Sequence, residues 1–397
     1  MNNTVVTGLG MISASGLGIE SNYRNFQLKK SGIQRITRFE IPAKVKTDIA
    51  GLVPDIPSEK LPQHLVSRMN DEDLRQDYVK AAVFVADEAI REAGINEKIQ
   101  MNPRRTGLFV ASSLGNFLYV SELVKDYFMK QLYKITSLIH GMNSYLPSRL
   151  ADLFGIKGPC LFVSSSCTSS LNAILQADTL IRSGFIDRAV ICAVDVCLEV
   201  GTYHLWNKIR VLSHRNDDPP TACRPYCMTR DGIVVSEAAG CFVLEREGAA
   251  GAPYARIRGF GMSNGASDFL KPTPEDISRA IRDGIDNAGI SADDIDFIAG
   301  SASGSPHCDH FETRAIREIF GPAAADRIPL FAFKSFLGTA FGTQAITEGA
   351  LALRAFRENR LPEPRNIFEK DERVCANAYY NPNDYHGYDM NNHYCPV

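Results

Sequence analysis

Short apolar segments rich in β-branched residues recur at Thr4–Thr7, Gly107–Ala111, Leu161–Ser164, Ala189–Val194, Gly240–Leu244, Ala255–Gly259, Phe297–Ala299 and Ile328–Phe333. Each reads as a strand. Amphipathic stretches lie between them. Tyr78–Gly94 places apolar residues three and four apart and closes on Gly94, which predicts a sheet-covering helix that stops there. Strands alternating with helices predict an α/β fold with mostly parallel or mixed sheets covered by helices. Two βα-rich halves meet near Arg246–Pro253 (REGAAGAP), so an internal pseudo-duplication is expected, with one half over residues 1–250 and the other over 251–397. Residues 377–397 are dense in Asn, Asp, Tyr and His, follow neither period, and are expected as loop or irregular tail.

At 397 residues with 45% apolar content, the chain can bury one large α/β body or two fused domains. A net charge of -3 gives no basic field for nucleic acid. No apolar run approaches the roughly 18 residues that span a bilayer. The opening MNNTVVTGLG has neither a basic n-region nor a small-residue cleavage site, so it does not read as a signal peptide and the cytoplasm is the expected location. Among the ten cysteines, Cys160, Cys192 and Cys241 lie in apolar runs and are expected to be reduced core thiols. Cys223 and Cys227 lack a second close pair or a His pair at zinc-finger spacing, so neither a metal nor any other cofactor is expected.

Chemistry concentrates at Leu161–Phe162–Val163, the run Ser164 to Ser170 around Cys167, and Leu171–Leu175. The pattern predicts a buried strand, a tight small-residue turn and a helix start. At a helix N-terminus, unpaired N–H groups and the dipole favour a thiolate, so Cys167 is expected to have a lowered pKa and to act as a nucleophile. A small buried thiol in a tight turn remains the alternative.

The context SSCTSSLNAI resembles the nucleophile elbow of the β-ketoacyl-ACP synthases, in which this cysteine carries the acyl chain as a thioester. Other matches follow in family order: VVTGLGMISASGLG at the start, Leu212 to Gly232 ending in an arginine–aspartate–glycine signature, and Val235–Gly240 as a small-residue strand entry. They cover residues 3 to about 375. The resemblance implies a thiolase-like fold of two five-layered αβαβα halves, normally dimeric.

It also exposes departures. The family uses two histidines to stabilise the enolate formed when malonyl-ACP loses carbon dioxide. Here Ser301 stands at the first position, anchored downstream by Asp309 and Glu312, and Thr339 at the second, after a matching Lys334. A hydroxyl donates one neutral hydrogen bond, whereas charge-assisted donors are roughly twice as strong, so unaided condensation is not expected. His307 and His310 flank Asp309 and are expected to open a helix that points away from the site. Lys334 and Glu312 match positions that organise the family's site, and a purely structural lysine–carboxylate pair is the alternative reading. Tyr388–Asn392 is the candidate approach to the closing glycine- and phenylalanine-rich loop, but the loop itself is not visible and His393–Val397 does not match it.

The family docks acidic acyl carrier proteins on basic surface residues. The segment resembling one docking helix, Ser67–Arg75, carries Asp71, Glu72 and Asp73, which would repel an acidic carrier or else serve as helix-capping acids. Lys208 and Arg210 keep positive charge at a second docking region, and Trp206 falls where an aromatic lines the entrance. Leu114, Phe117 and residues 135–139 are candidate tunnel-lining positions. Three readings follow from the resemblance. The first is a chain-length-factor-like subunit that pairs with an active ketosynthase. The second is an acyltransferase working through Cys167 alone, and the third an atypical homodimeric 3-oxoacyl-ACP synthase.

Overall fold

A computed structural model describes residues 3–131, 136–248, 251–266 and 272–382. All eight expected strands are present. In chain order the strands are β1 (Thr4–Ser13), β2 (Gly16–Leu17), β3 (Ile33–Arg35), β4 (Ile49–Gly51), β5 (Thr106–Ala111), β6 (Cys160–Val163), β7 (Arg188–Asp195), β8 (Ala238–Arg246), β9 (Ala255–Ile257), β10 (Ile298–Ala299) and β11 (Leu330–Phe331). The main sheet runs β2-β1-β8-β7-β5-β6, with β9 added to β1. It is mixed: β5, β6 and β7 are parallel, and β8 is antiparallel to both β1 and β7.

One face of this sheet packs under helices Asp77–Ala93 and Tyr145–Phe154. The first is the predicted 78–94 helix, and Gly94 ends it in the left-handed region at φ 63°. It lies unusually close to β1 because Gly10 has no side chain there. A Cβ on Gly10 would stand 2.1 Å from the Val85 carbonyl oxygen. The same helix supplies Glu88, which accepts the Met11 N–H at 2.9 Å, and Glu92, which accepts that of Leu9. These carboxylates satisfy two β1 donors that lie beyond the Thr4–Val6 pairing with β9.

The other face packs on helices Ser169–Arg182 and Gln344–Arg357, and beneath them lies an aromatic cluster of Phe26, Phe297, Phe331, Phe333 and Phe336. Next come the parallel pair β10–β11 and then helices Pro274–Ala288 and Pro306–Phe320. Five layers result, as the resemblance implies, but the second sheet has two strands among the described residues.

Two expectations need correction. The strand before the elbow is not buried: β6 is the sheet's outer edge, with Leu161 41% exposed. Cys160 on it is accordingly exposed rather than a core thiol, while Cys192 and Cys241 are buried. Residues 383–397, including the departure at 388–397, lie outside the described residues.

Candidate active site

Strands β5 and β6 end level with one another at Ala111 and Val163, and β7, in register with Ala111 at Ala193, runs on to Asp195. Their carboxyl ends therefore release three loops at one place, where ligands gather in parallel sheets. The β6 loop is the elbow. Ser166 takes a left-handed conformation (φ 57°), Cys167 follows, and Thr168 precedes the helix Ser169–Arg182. The turn is held from within. The Ser169 hydroxyl accepts from the Ser165 N–H at 2.9 Å and lies 2.6 Å from the Ser166 carbonyl. Asn172 reaches back to the Ser165 hydroxyl at 2.6 Å.

Solvent reaches Cys167, yet surrounding protein is dense enough that burial pushes its thiol up. The expected lowering by the helix start is thus overturned, because desolvation of the thiolate outweighs it. The Ser166 hydroxyl and the positive field of Lys334 act in the opposite sense, and the negative field of Asp195 adds to the rise.

Lys334 is buried at the start of the short helix Lys334–Leu337, its Nζ 2.8 Å from Glu348 Oε1. The ion-pair partner is therefore Glu348, not Glu312. Burial opposes the ammonium, but Glu348, Glu312 and Cys167 together hold its pKa above the usual range. Glu312 is buried nearby, pushed up to about 7 by burial, and accepts the Tyr226 hydroxyl at 2.8 Å and the Ser301 N–H at 2.5 Å. Asp309 accepts backbone N–H groups from Tyr226, Ser303 and Gly304, fixing the same loop.

Ser301 is exposed at the end of that loop. Thr339 is pinned by its backbone, donating to Val234 at 2.7 Å and accepting from Ser236 at 2.9 Å, while its buried hydroxyl has no hydrogen-bond partner among the described residues. Among the described residues neither hydroxyl is hydrogen bonded to Cys167. His307 is exposed and His310 half-buried at the start of the helix Pro306–Phe320.

Trp206, near the end of the helix Val200–Ile209, packs its ring against that of Phe341, with centroids 5.4 Å apart. Lys208 and Arg210 are exposed beside it. Leu114 and Phe117 are exposed as well, as are Leu138 and Ile139, while Ile135 lies outside the described residues. The acidic docking segment also needs correction. Asp73 is buried, capping its helix with Asn70 and held by Arg149 at 2.7 Å and by the Tyr145 hydroxyl, so it presents no charge to a carrier.

Sequence reading missed Glu348 and Asp195. Both were marked in the same way, as a lone carboxylate in an otherwise apolar element: AVICAVD for β7 and EGALA for the helix Gln344–Arg357. Cys223 and Cys227 are both buried and apart, one against the Ser303 carbonyl and the other against the Thr229 hydroxyl. Among the described residues no three His, Cys, Asp or Glu side chains gather as metal ligands, and no helix is long and apolar enough to cross a membrane.

Residues 1–250 match the model of the β-ketoacyl synthase N-terminal domain, and residues 254–368 that of its C-terminal domain. The chain is 28% identical over 379 residues to 3-oxoacyl-[acyl-carrier-protein] synthase 2 of Coxiella burnetii, covering 93% of this chain and 89% of that protein. It is 29% identical over 381 residues to the tetracenomycin polyketide synthase ketoacyl synthase alpha subunit of Streptomyces glaucescens, covering 92% and 88%. Its fold superposes on the ishigamide ketosynthase/chain length factor with a TM-score of 0.82 at 24% identity, over 95% of this chain and 91% of that one.

Proposed function

The chain belongs to the β-ketoacyl synthase family, and from that premise we propose that it is a non-condensing, chain-length-factor-like subunit working in the cytoplasm beside an active ketosynthase. It is a ketosynthase-like protein of type II fatty acid or polyketide synthesis. The observation that carries the finer reading is the site itself. An elbow cysteine is retained, but hydroxyls stand at both histidine positions and burial pushes the thiol's pKa up. Ser301 and Thr339 cannot supply charged donors to an enolate. Losing one positioned oxyanion donor typically slows a reaction about 100- to 1000-fold.

The edge strand β6 supports a partner. Among the described residues its outer side is unpaired and its Leu161 is exposed, and Phe117, Val120, Val124 and Phe128 on the helix Phe117–Lys130 offer further apolar surface. A second ketosynthase-fold subunit would continue the sheet and cover that surface. Lys208 and Arg210 would meet an acidic acyl carrier protein beside the Trp206–Phe341 entrance. Incubated alone with malonyl-ACP, the chain should release carbon dioxide at least about 100-fold more slowly than an active ketosynthase. Release at a comparable rate would instead establish an atypical homodimeric synthase.

A second reading is favoured by the solvent-reached thiol on an intact elbow. Thioester exchange needs a nucleophile and an oxyanion donor but no decarboxylation, so Cys167 could accept an acyl group without condensing it. An acyl mass increment on Cys167 after incubation with acyl-ACP, absent in Cys167→Ala, is the outcome that selects this reading.

A further inference from the structure

Asp195 closes β7 as a buried carboxylate that forms no ion pair among the described residues, yet four donors converge on it. The Ser112 hydroxyl donates at 2.6 Å, the Ser113 N–H at 3.0 Å, the Leu114 N–H at 3.3 Å, and the Gly342 N–H at 2.8 Å. The first three belong to the loop after β5. The fourth comes from residues Phe341–Thr343, which follow Thr339 and carry the ring that stacks on Trp206. Space around this junction is closed. A Cβ on Gly342 would meet the Ser113 nitrogen at 2.9 Å and Asp195 Oδ2 at 3.0 Å.

The elbow joins the same junction. The buried Ser169 hydroxyl, which shapes the turn at Ser165 and Ser166, lies 3.2 Å from the Ser112 carbonyl. A chain of polar contacts thus runs from Gly342 through Asp195 and Ser112 to the Ser169 hydroxyl, whose single proton faces both the Ser112 and the Ser166 carbonyl and which accepts from the Ser165 N–H in the elbow. A carboxylate is the acceptor-only group that can take all four donors, whereas a carboxamide must turn an NH2 toward some of them.

We propose that Asp195 is the positioning residue of the Cys167 site, setting both the placement of the elbow against the Phe341–Thr343 loop and the ease with which the thiol ionises. The inference rests on Cys167 being the reactive group of the site, and not on what the thiol carries. Of the charged groups near Cys167, Lys334 and Asp195 exert the strongest fields on it. Tyr78 and Cys197 also feel Asp195, and burial holds both of them neutral.

The test is the pH–rate profile of iodoacetamide alkylation at Cys167, followed by peptide mass spectrometry in the full-length protein, together with amide hydrogen exchange. In Asp195→Asn the midpoint should fall by about half a pH unit or more, since a like charge has been removed from the thiolate. Exchange at Ser113 and Gly342 should quicken by about tenfold or more. Should that variant fail to fold, Ser112→Ala keeps the charge and removes the hydroxyl that ties Asp195 to the loop before the elbow, together with its bond from the Gly115 N–H, while the Ser112 carbonyl facing Ser169 stays. It should leave the midpoint in place while changing the plateau alkylation rate severalfold. A folded Asp195→Asn with an unmoved midpoint and unmoved exchange would overturn the proposal, as would a Ser112→Ala plateau equal to that of the parent. Alkylation proceeds whether or not Cys167 ever accepts an acyl group, so either failure leaves the subunit reading to its own experiment.

Discussion

Lys334 and Glu348 form an ion pair sealed from water, and such a pair is far harder to break than to replace. Lys334→Met should destabilise the protein by about 3–5 kcal/mol because it strands a buried carboxylate, whereas Lys334→Met combined with Glu348→Leu should recover most of that loss. Urea denaturation of the two variants checks this. The double variant has a second readout, because it also removes the positive field at Cys167. Its thiol should alkylate more slowly at pH 8 than the parent's even though the fold is restored. At this scale the sequence made Cys167, Ser301, Thr339 and Lys334 legible, since each sits in a run whose order of residues is itself informative. It did not reveal which carboxylate Lys334 would meet. Glu312 and Glu348 lie on different helices, and only packing of the Gln344–Arg357 helix under the sheet decides between them. Nor did the helix-start argument foresee the raised thiol, because desolvation depends on neighbours remote in sequence.

The 77–93 helix and β1 illustrate how one element fixes another. Contact at Gly10 is so close that Gly10→Ala must push the helix off the strand, at a cost of about 3 kcal/mol. Gly94→Ala meets no atoms within 4 Å and should cost only about 1 kcal/mol, the penalty of a left-handed conformation. Thermal melts of the pair would separate overpacking from backbone strain. Glu88 on this helix makes the same contact dependent on pH. Burial pushes its carboxyl up to about 7 from an ordinary 4.5, against the hydrogen bonds from Met11 and Ile19. The folded state therefore binds more protons than the unfolded state between about pH 4.5 and 7. This contribution to stability is fully present below pH 4.5 and is lost as pH rises through 7, with a slope of at most about 1.4 kcal/mol per pH unit. Glu88→Gln should flatten that part of the stability–pH curve, and an unchanged slope would assign the pH dependence elsewhere. The helix and its stop at Gly94 were legible from apolar spacing alone. Its two carboxylates on the strand were not, since Glu88 and Glu92 look like ordinary surface acids until the helix lies on β1.

Across the whole molecule, alternation of strands and helices was enough to expect layered α/β architecture, whereas the five layers were an expectation of the family resemblance alone. What local pattern could not convey was which strand stands at an edge. Leu161–Phe162–Val163 is as apolar as a central strand, and an apolar edge is what a sheet has when another subunit completes it. That β10 and β11 pair only with each other among the described residues was equally hidden, because they read as strands whether or not neighbours flank them. The most direct test is to co-express this chain, tagged, with an active ketosynthase of the same type II system, and to assay the purified material with acyl- and malonyl-ACP. We expect a one-to-one complex that condenses, that tolerates Cys167→Ala in this chain, and that is lost with Leu161→Lys at the β6 edge. A homodimer of this chain that condenses unaided and dies with Cys167→Ala would contradict the subunit reading outright.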